Sequence, residues 1–201
     1  VVSVQSGGGI FLDSVMNILM FKVHFMNNEA AMSGGAVSVN AKLTGSLLNV
    51  TQVNVRSNTA KVNGGGFYID SINVIAFLQT EFISNKALHI GGGLAISVSH
   101  AIESDIFIDR SSYMYNAAKT TGFTMSITGT RNISVVDVHV ANPIHTFQAN
   151  TEENIFNLKT RTVYFERISL VKLQRNQVNI GIVAEISVNI SYLSFICPEF
   201  T

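Results

Sequence analysis

The motif Phe25-x-x-Asn28-x-Ala30-x-x-x-Gly34-Gly35 returns three more times along this chain, and no other feature limits its fold so strongly. The second copy runs from Val55 through Asn58 and Ala60 to Gly64-Gly65. The third runs from Phe82 through Asn85 and Ala87 to Gly91-Gly92. The fourth holds Tyr113, Asn116, Ala118 and Gly122, with Phe123 in place of the second glycine. The asparagines are 30, 27 and 31 residues apart. A fixed period in this range is the mark of a solenoid, in which each repeat is one unit that cannot bury its apolar face alone.

Aligned on the asparagines, the repeats can be read column by column. Ten residues before each Asn stand Ile18, Leu48, Ile75 and Ile106; eight before it stand Met20, Val50, Phe77 and Ile108. Intervening columns mix freely, as with Leu19, Asn49, Ala76 and Phe107, or Lys22, Gln52, Gln79 and Arg110. Period-two spacing with one constant face is a strand with one buried side. The apolar column returns three residues before the Asn, at an odd offset, so a bend must turn the chain back to the core. A second short strand follows each glycine pair, at Ile10 to Leu12, Ala36 to Val39, Phe67 to Ile69 and Leu94 to Ile96. Strands this short must stack on neighbouring repeats, which predicts a parallel β-helix with rungs roughly 4.8 Å apart. We expect six or seven coils of 27–31 residues, regular over about 6–125 and irregular over about 126–201. Degenerate corners are expected at Val140 to Pro143 and Leu173 to Gly181, with a loop at Glu152-Glu153. The whole chain, 1–201, reads as a single β-helix segment of a longer protein.

Each constant residue has a physical role in such a coil. Asn28, Asn58, Asn85 and Asn116 suit corners, where Asn takes a left-handed backbone and bonds its own turn. Stacked copies can also form an amide ladder. The alanines are small enough to point into the crowded corner. Gly34, Gly64, Gly91 and Gly122 allow positive φ or close backbone approach. Six residues after each first glycine, counting Gly7 as well, come Asp13, Asn40, Asp70 and Ser97, which suit turn closure.

The composition leaves little chemistry to assign. Charged residues are 13% of the chain, apolar ones 47%, and the formal net charge is zero. That balance lacks the electrostatic footprint of a nucleic-acid binder. One cysteine, Cys197, permits neither an internal disulfide nor a cysteine metal site. Asp105 and Asp109 share the outward face of one strand, and with Arg110 beside them they read as a solvated patch. Asp13 and Asp70 share a column two coils apart, with Asn40 between them, and read as turn residues. His24 shares a surface column with Asn54, Glu81 and Ser112; His89, His100, His139 and His145 do not cluster with it. No metal, cofactor or catalytic set is expected, and the glycine runs lack the Lys-Ser/Thr of a phosphate loop. Three glycosylation sequons begin at Asn49, Asn132 and Asn189, about the number that composition alone produces. Asn49 is the preferred candidate because it lies in an outward column.

The pairing of Phe25-Met26-Asn27-Asn28 with Gly34-Gly35-Ala36-Val37 resembles the repeat of the chlamydial polymorphic outer membrane proteins. Similar repeats occur in large surface proteins of protists and algae. The resemblance covers about residues 6–125, and Val55, Tyr113, Gly66 and Gly93 depart from its consensus. It implies a right-handed parallel β-helix displayed on a cell surface and serving in adhesion. We therefore expect a non-enzymatic extracellular spacer, adhesin or fibre subunit. Flanking segments or other copies are expected to cover its ends, with surface glycans or cell-surface proteins as ligands. The alternative is a carbohydrate-active β-helix, with its site on a long strand face or in the 148–160 loop.

Overall fold

The computed structural model describes residues 2–3, 5–41, 43–98, 103–122, 124–141, 154–171 and 179–196. Every regular element within them is a β-strand, and consecutive coils pair in parallel. Three sheets result, of eleven, seven and five strands. The eleven-stranded sheet takes two strands from each early coil, such as Val37–Asn40 and Leu47–Thr51. The seven-stranded sheet takes the strand bearing the aromatic column, such as Asn54–Arg56. The five-stranded sheet takes the two residues ending at the motif alanine, such as Thr59–Ala60. This is the expected parallel β-solenoid.

Among the described residues the coil with all three sheets repeats about five times, fewer than the six or seven expected. Three strands of the seven-stranded sheet, His139–Ala141, Ile168–Val171 and Leu193–Ile196, reach past the motif. In this later part the two strands of the large sheet run together as Met125–Val136, Asn154–Glu166 and Asn179–Ile190. The expected corner residues Asn142, Pro143 and Leu173 to Val178 lie outside the described residues, as do Glu152, Glu153, His100, His145 and Cys197.

Register explains the core. Ile18, Leu48, Ile75, Ile106, Ile133 and Val163 stack in one column, and Met20, Val50, Phe77, Ile108, Val135 and Phe165 in the next. All of them are buried. From the facing sheet, Phe25 and Phe82 meet the ring of Phe67 edge-on at 5.8 and 5.5 Å, and Phe82 lies flat on Tyr113 at 4.9 Å. Edge-to-face and offset aromatic contacts of this kind add to the burial of area itself.

The odd offset is resolved by a left-handed residue. Lys22, Gln52, Gln79 and Arg110 all have φ between 46° and 55°, and Asp137 and Arg167 continue the column. A second left-handed column, Asn27, Ser57, Ser84 and Tyr115, lies one residue before the motif asparagine. The asparagine is thus not itself the left-handed residue, contrary to expectation: the corner turns one position earlier and leaves the Asn side chain free to point inward. Gly64 does take positive φ, at 62°, and a Cβ on Gly65 would collide with the Gly92 carbonyl oxygen of the next coil. The glycine pair therefore combines one bend with one close approach.

Candidate functional site

The repeated asparagines form a continuous ladder. Asn28 Nδ2 donates to Asn58 Oδ1 at 2.9 Å, Asn58 Nδ2 to Asn85 Oδ1 at 3.0 Å, and Asn85 Nδ2 to Asn116 Oδ1 at 3.0 Å. Each acceptor also takes the backbone N–H of the preceding coil's Asn at 3.0 Å. The remaining amide hydrogen reaches back to the carbonyl of the aromatic column: Asn58 to Phe25, Asn85 to Val55 and Asn116 to Phe82. The bonds run between coils as the expected amide ladder, and not within the asparagine's own turn, the other expectation. Asn58, Asn85 and Asn116 are buried, and Asn58 and Asn85 use all of their amide capacity. Asn58 and Asn85 therefore have nothing left to offer a ligand.

The carboxylates singled out by their spacing engage arginines. Arg131 donates to Asp105 at 3.0 Å through Nε and to Glu103 at 2.6 Å through Nη1, and Asn132 Nδ2 adds a bond to Asp105 at 2.8 Å. The Arg131 hydrogen bonds hold the Asp105 carboxyl below its ordinary range. Arg110 Nε pairs with Asp109 at 2.8 Å. Asp137, one coil on, accepts two bonds from Arg167, which hold its carboxyl down in the same way. Asp13 and Asp70 do sit in register on either side of Asn40. Asp70 accepts from the Ser71 hydroxyl at 2.7 Å, while Asn40 Oδ1 is buried without a partner. Among the described residues no group of three or more His, Cys, Asp or Glu is placed to hold a metal.

The sequons share one surface. Asn49 pairs in register with Leu19 and Ala76 in an outward column that continues through Phe107, Ser134 and Tyr164 to Asn189. Asn132 lies two residues before Ser134 on the same strand and face. Asn49 is only half-buried and accepts from Thr51 at 2.9 Å, whereas Asn132 and Asn189 are exposed. Apolar side chains are exposed on this face too, with Leu19 75% accessible.

One open groove of about 510 Å³ lies where the large sheet turns into the seven-stranded sheet. One wall is the left-handed column Gln52, Gln79, Arg110 and Asp137; the other is Glu81, Ser112 and His139, with Thr80 and Ser111 beneath. The two floor hydroxyls are buried and bond each other at 3.0 Å. Gln52 donates to Gln79 at 3.0 Å, and Asn54 to Glu81 at 2.8 Å. The surface column of His24, Asn54, Glu81 and Ser112 was legible from spacing, and pairing extends it to His139. Facing it across a bend, the Lys22 to Arg110 column was visible only as a mixed position. The sole sequence signal was that polar residues fill it in every repeat. No known protein family, curated protein or solved structure matches this chain.

Proposed function

We propose that this β-solenoid is a non-enzymatic extracellular or cell-surface protein, a rigid spacer, adhesin or fibre subunit. The observation that carries the reading is how the motif is used. Its asparagines bond one another, its alanines and aromatics are buried, and its glycines make corners. The carboxylates of Asp105, Asp109 and Asp137 each engage an arginine, which suits a structural surface better than paired catalytic carboxylates. Display outside the cell fits the sequons at Asn49, Asn132 and Asn189, gathered on one face where glycans would screen exposed apolar side chains. Val188 and Ile190, in core columns at the last rung of the large sheet, keep 47% and 45% exposure. That exposure fits covering by a flanking segment or another copy.

The test is an assay of the purified chain and its Asp105→Asn and Asp109→Asn variants on neutral and acidic polysaccharides. No chain cleavage by any of the three is expected. Turnover by the wild type that either substitution abolishes would replace this reading with the carbohydrate-active one.

A further inference from the structure

The groove beside the left-handed column has a shape and chemistry that select a ligand class. Its lining comes from four successive coils: Gln52 from one, Gln79 and Glu81 from the next, then Arg110 and Ser112, then Asp137 and His139. Successive coils are one rung apart, so polar groups recur along the solenoid axis roughly every 4.8 Å, over about 14 Å in all. No lining residue is apolar. An occupant must therefore be extended, polar along its whole length, and able both to give and to accept hydrogen bonds.

Three polymers meet the requirement of length, and two of them fail on chemistry. A nucleic acid strand would set its phosphates against Glu81, and the only lining guanidinium, Arg110, is already paired to Asp109. An extended peptide binds by adding a strand to a free edge. Here the corner N–H groups of Gln52, Gln79, Arg110 and Asp137 already bond carbonyls of the following coil. A chain of pyranose rings carries hydroxyls along both sides, and one ring is about as long as one rung is high, roughly 5 Å. The Ser112 hydroxyl and His139 imidazole form no side-chain hydrogen bond among the described residues and are free to meet such hydroxyls. The amides of Gln52 and Gln79 are held in line by their mutual bond. With Asp137 paired to Arg167 and Arg110 to Asp109, Glu81 is the lining charge left without an opposite partner among the described residues, and it disfavours an acidic glycan.

We propose that this groove binds a neutral oligosaccharide lying along the solenoid axis, one sugar per inter-coil spacing and about three sugars in contact. It deepens the adhesin reading and rests on it, since the groove is assigned binding without cleavage. The test is calorimetric titration of the purified chain with neutral cello-, xylo- and manno-oligosaccharides of one to six units. Acidic oligogalacturonides and a single-stranded oligonucleotide serve as comparison ligands. The expected result is binding by at least one neutral series, tighter for the trimer than the monomer by tenfold or more. Ser112→Tyr, which fills the groove, should weaken it at least tenfold without moving the thermal midpoint. Gln79→Ala should weaken it by a smaller factor, and Ser134→Tyr, on another face, should leave it unchanged. Should Ser112→Tyr fail to fold, the Gln79→Ala comparison carries the same decision. The inference is overturned by no binding in any neutral series, by equal affinity for monomer and trimer, by preference for the acidic ligands, or by binding that Gln79→Ala or a folded Ser112→Tyr leaves unchanged. Failure here leaves the non-enzymatic reading standing, whereas turnover of the bound sugars removes that reading and keeps the groove.

Discussion

The coils before Gly122 and those after it solve one problem, bending a flat ladder into a closed turn, in two ways. Early coils break the large sheet's strand pair with a turn and seal the far corner with the buried amide ladder and the glycine pair. Later coils carry one long strand through the same place, with shifts of register between Thr128 and Thr130 and between Thr160 and Thr162. Such irregularities bend a strand and raise its twist without a separate turn. The apolar columns pass through both regions unchanged, from Ile106 to Ile133 and Val163, and from Tyr113 to Val140 and Leu170. Parallel stacking thus depends on the apolar columns, while the asparagine motif adds a buried polar network peculiar to the early coils.

The sharpest way to break this comparison is to remove a rung of the ladder. Asn85→Ala takes the acceptor from the Asn58 backbone N–H and from one Asn58 Nδ2 hydrogen, and one donor each from the Val55 carbonyl and the Asn116 side-chain oxygen, in a buried corner. A cost of ~3–5 kcal/mol is expected, since each stranded buried group costs ~1–3 kcal/mol. In the later coils Thr160→Val removes a hydroxyl that donates to the Thr130 carbonyl at 3.1 Å, at an expected ~1 kcal/mol. Chemical denaturation of both variants checks the pair; equal losses would erase the distinction between the two regions.

A smaller effect, of opposite sign, is expected where the regions meet. Tyr113 is fully buried, its hydroxyl has no partner, and burial alone pushes its pKa up. Tyr113→Phe keeps the ring stacked on Phe82 and should raise stability by ~1 kcal/mol in the same measurement. No gain, or a loss, would mean that the hydroxyl has a partner.

The smallest effect concerns the ion pairs joining these coils. Folded-state values for Asp105 and Asp137 lie below the ordinary carboxylate pKa of about 3.9. Their contribution is complete above that value and is lost as pH falls through the depressed folded one. Arg131→Gln should therefore lower the neutral plateau slightly and leave the stability below the depressed folded value unchanged, which flattens the acid limb of the profile. An undiminished acid limb in that variant would show that these pairs do not set it.

Much of this fold could be read before any coordinates, because its determinants are local and repeated. Ile18 and Met20 declare a strand by spacing of two, and their recurrence in later repeats declares the stack. Where the chain turns at Asn28 is not legible, since Asn is both a left-handed residue and an amide donor, and spacing cannot separate the roles. Neighbouring Ser57 and Ser84 carry the left-handed backbone without any strong sequence mark. The coil count is not legible either, because only apolar alternation remains once the motif lapses. The groove was least legible. The left-handed bend at Gln79 puts Leu78 and Gln79 outside in succession, so the alternation read from Ile75 and Phe77 does not foretell that Gln79 and Glu81 line the groove while Thr80 lies beneath it.

What the sequence determined by itself was the class of fold and the identity of its core. Apolar columns at a constant period can all be buried at once only by stacking. What the tertiary structure decided was which polar groups satisfy one another and which remain open. That depends on register between coils, and register sends Asn85 into a closed ladder while it leaves Ser112 and His139 on the wall of an open groove.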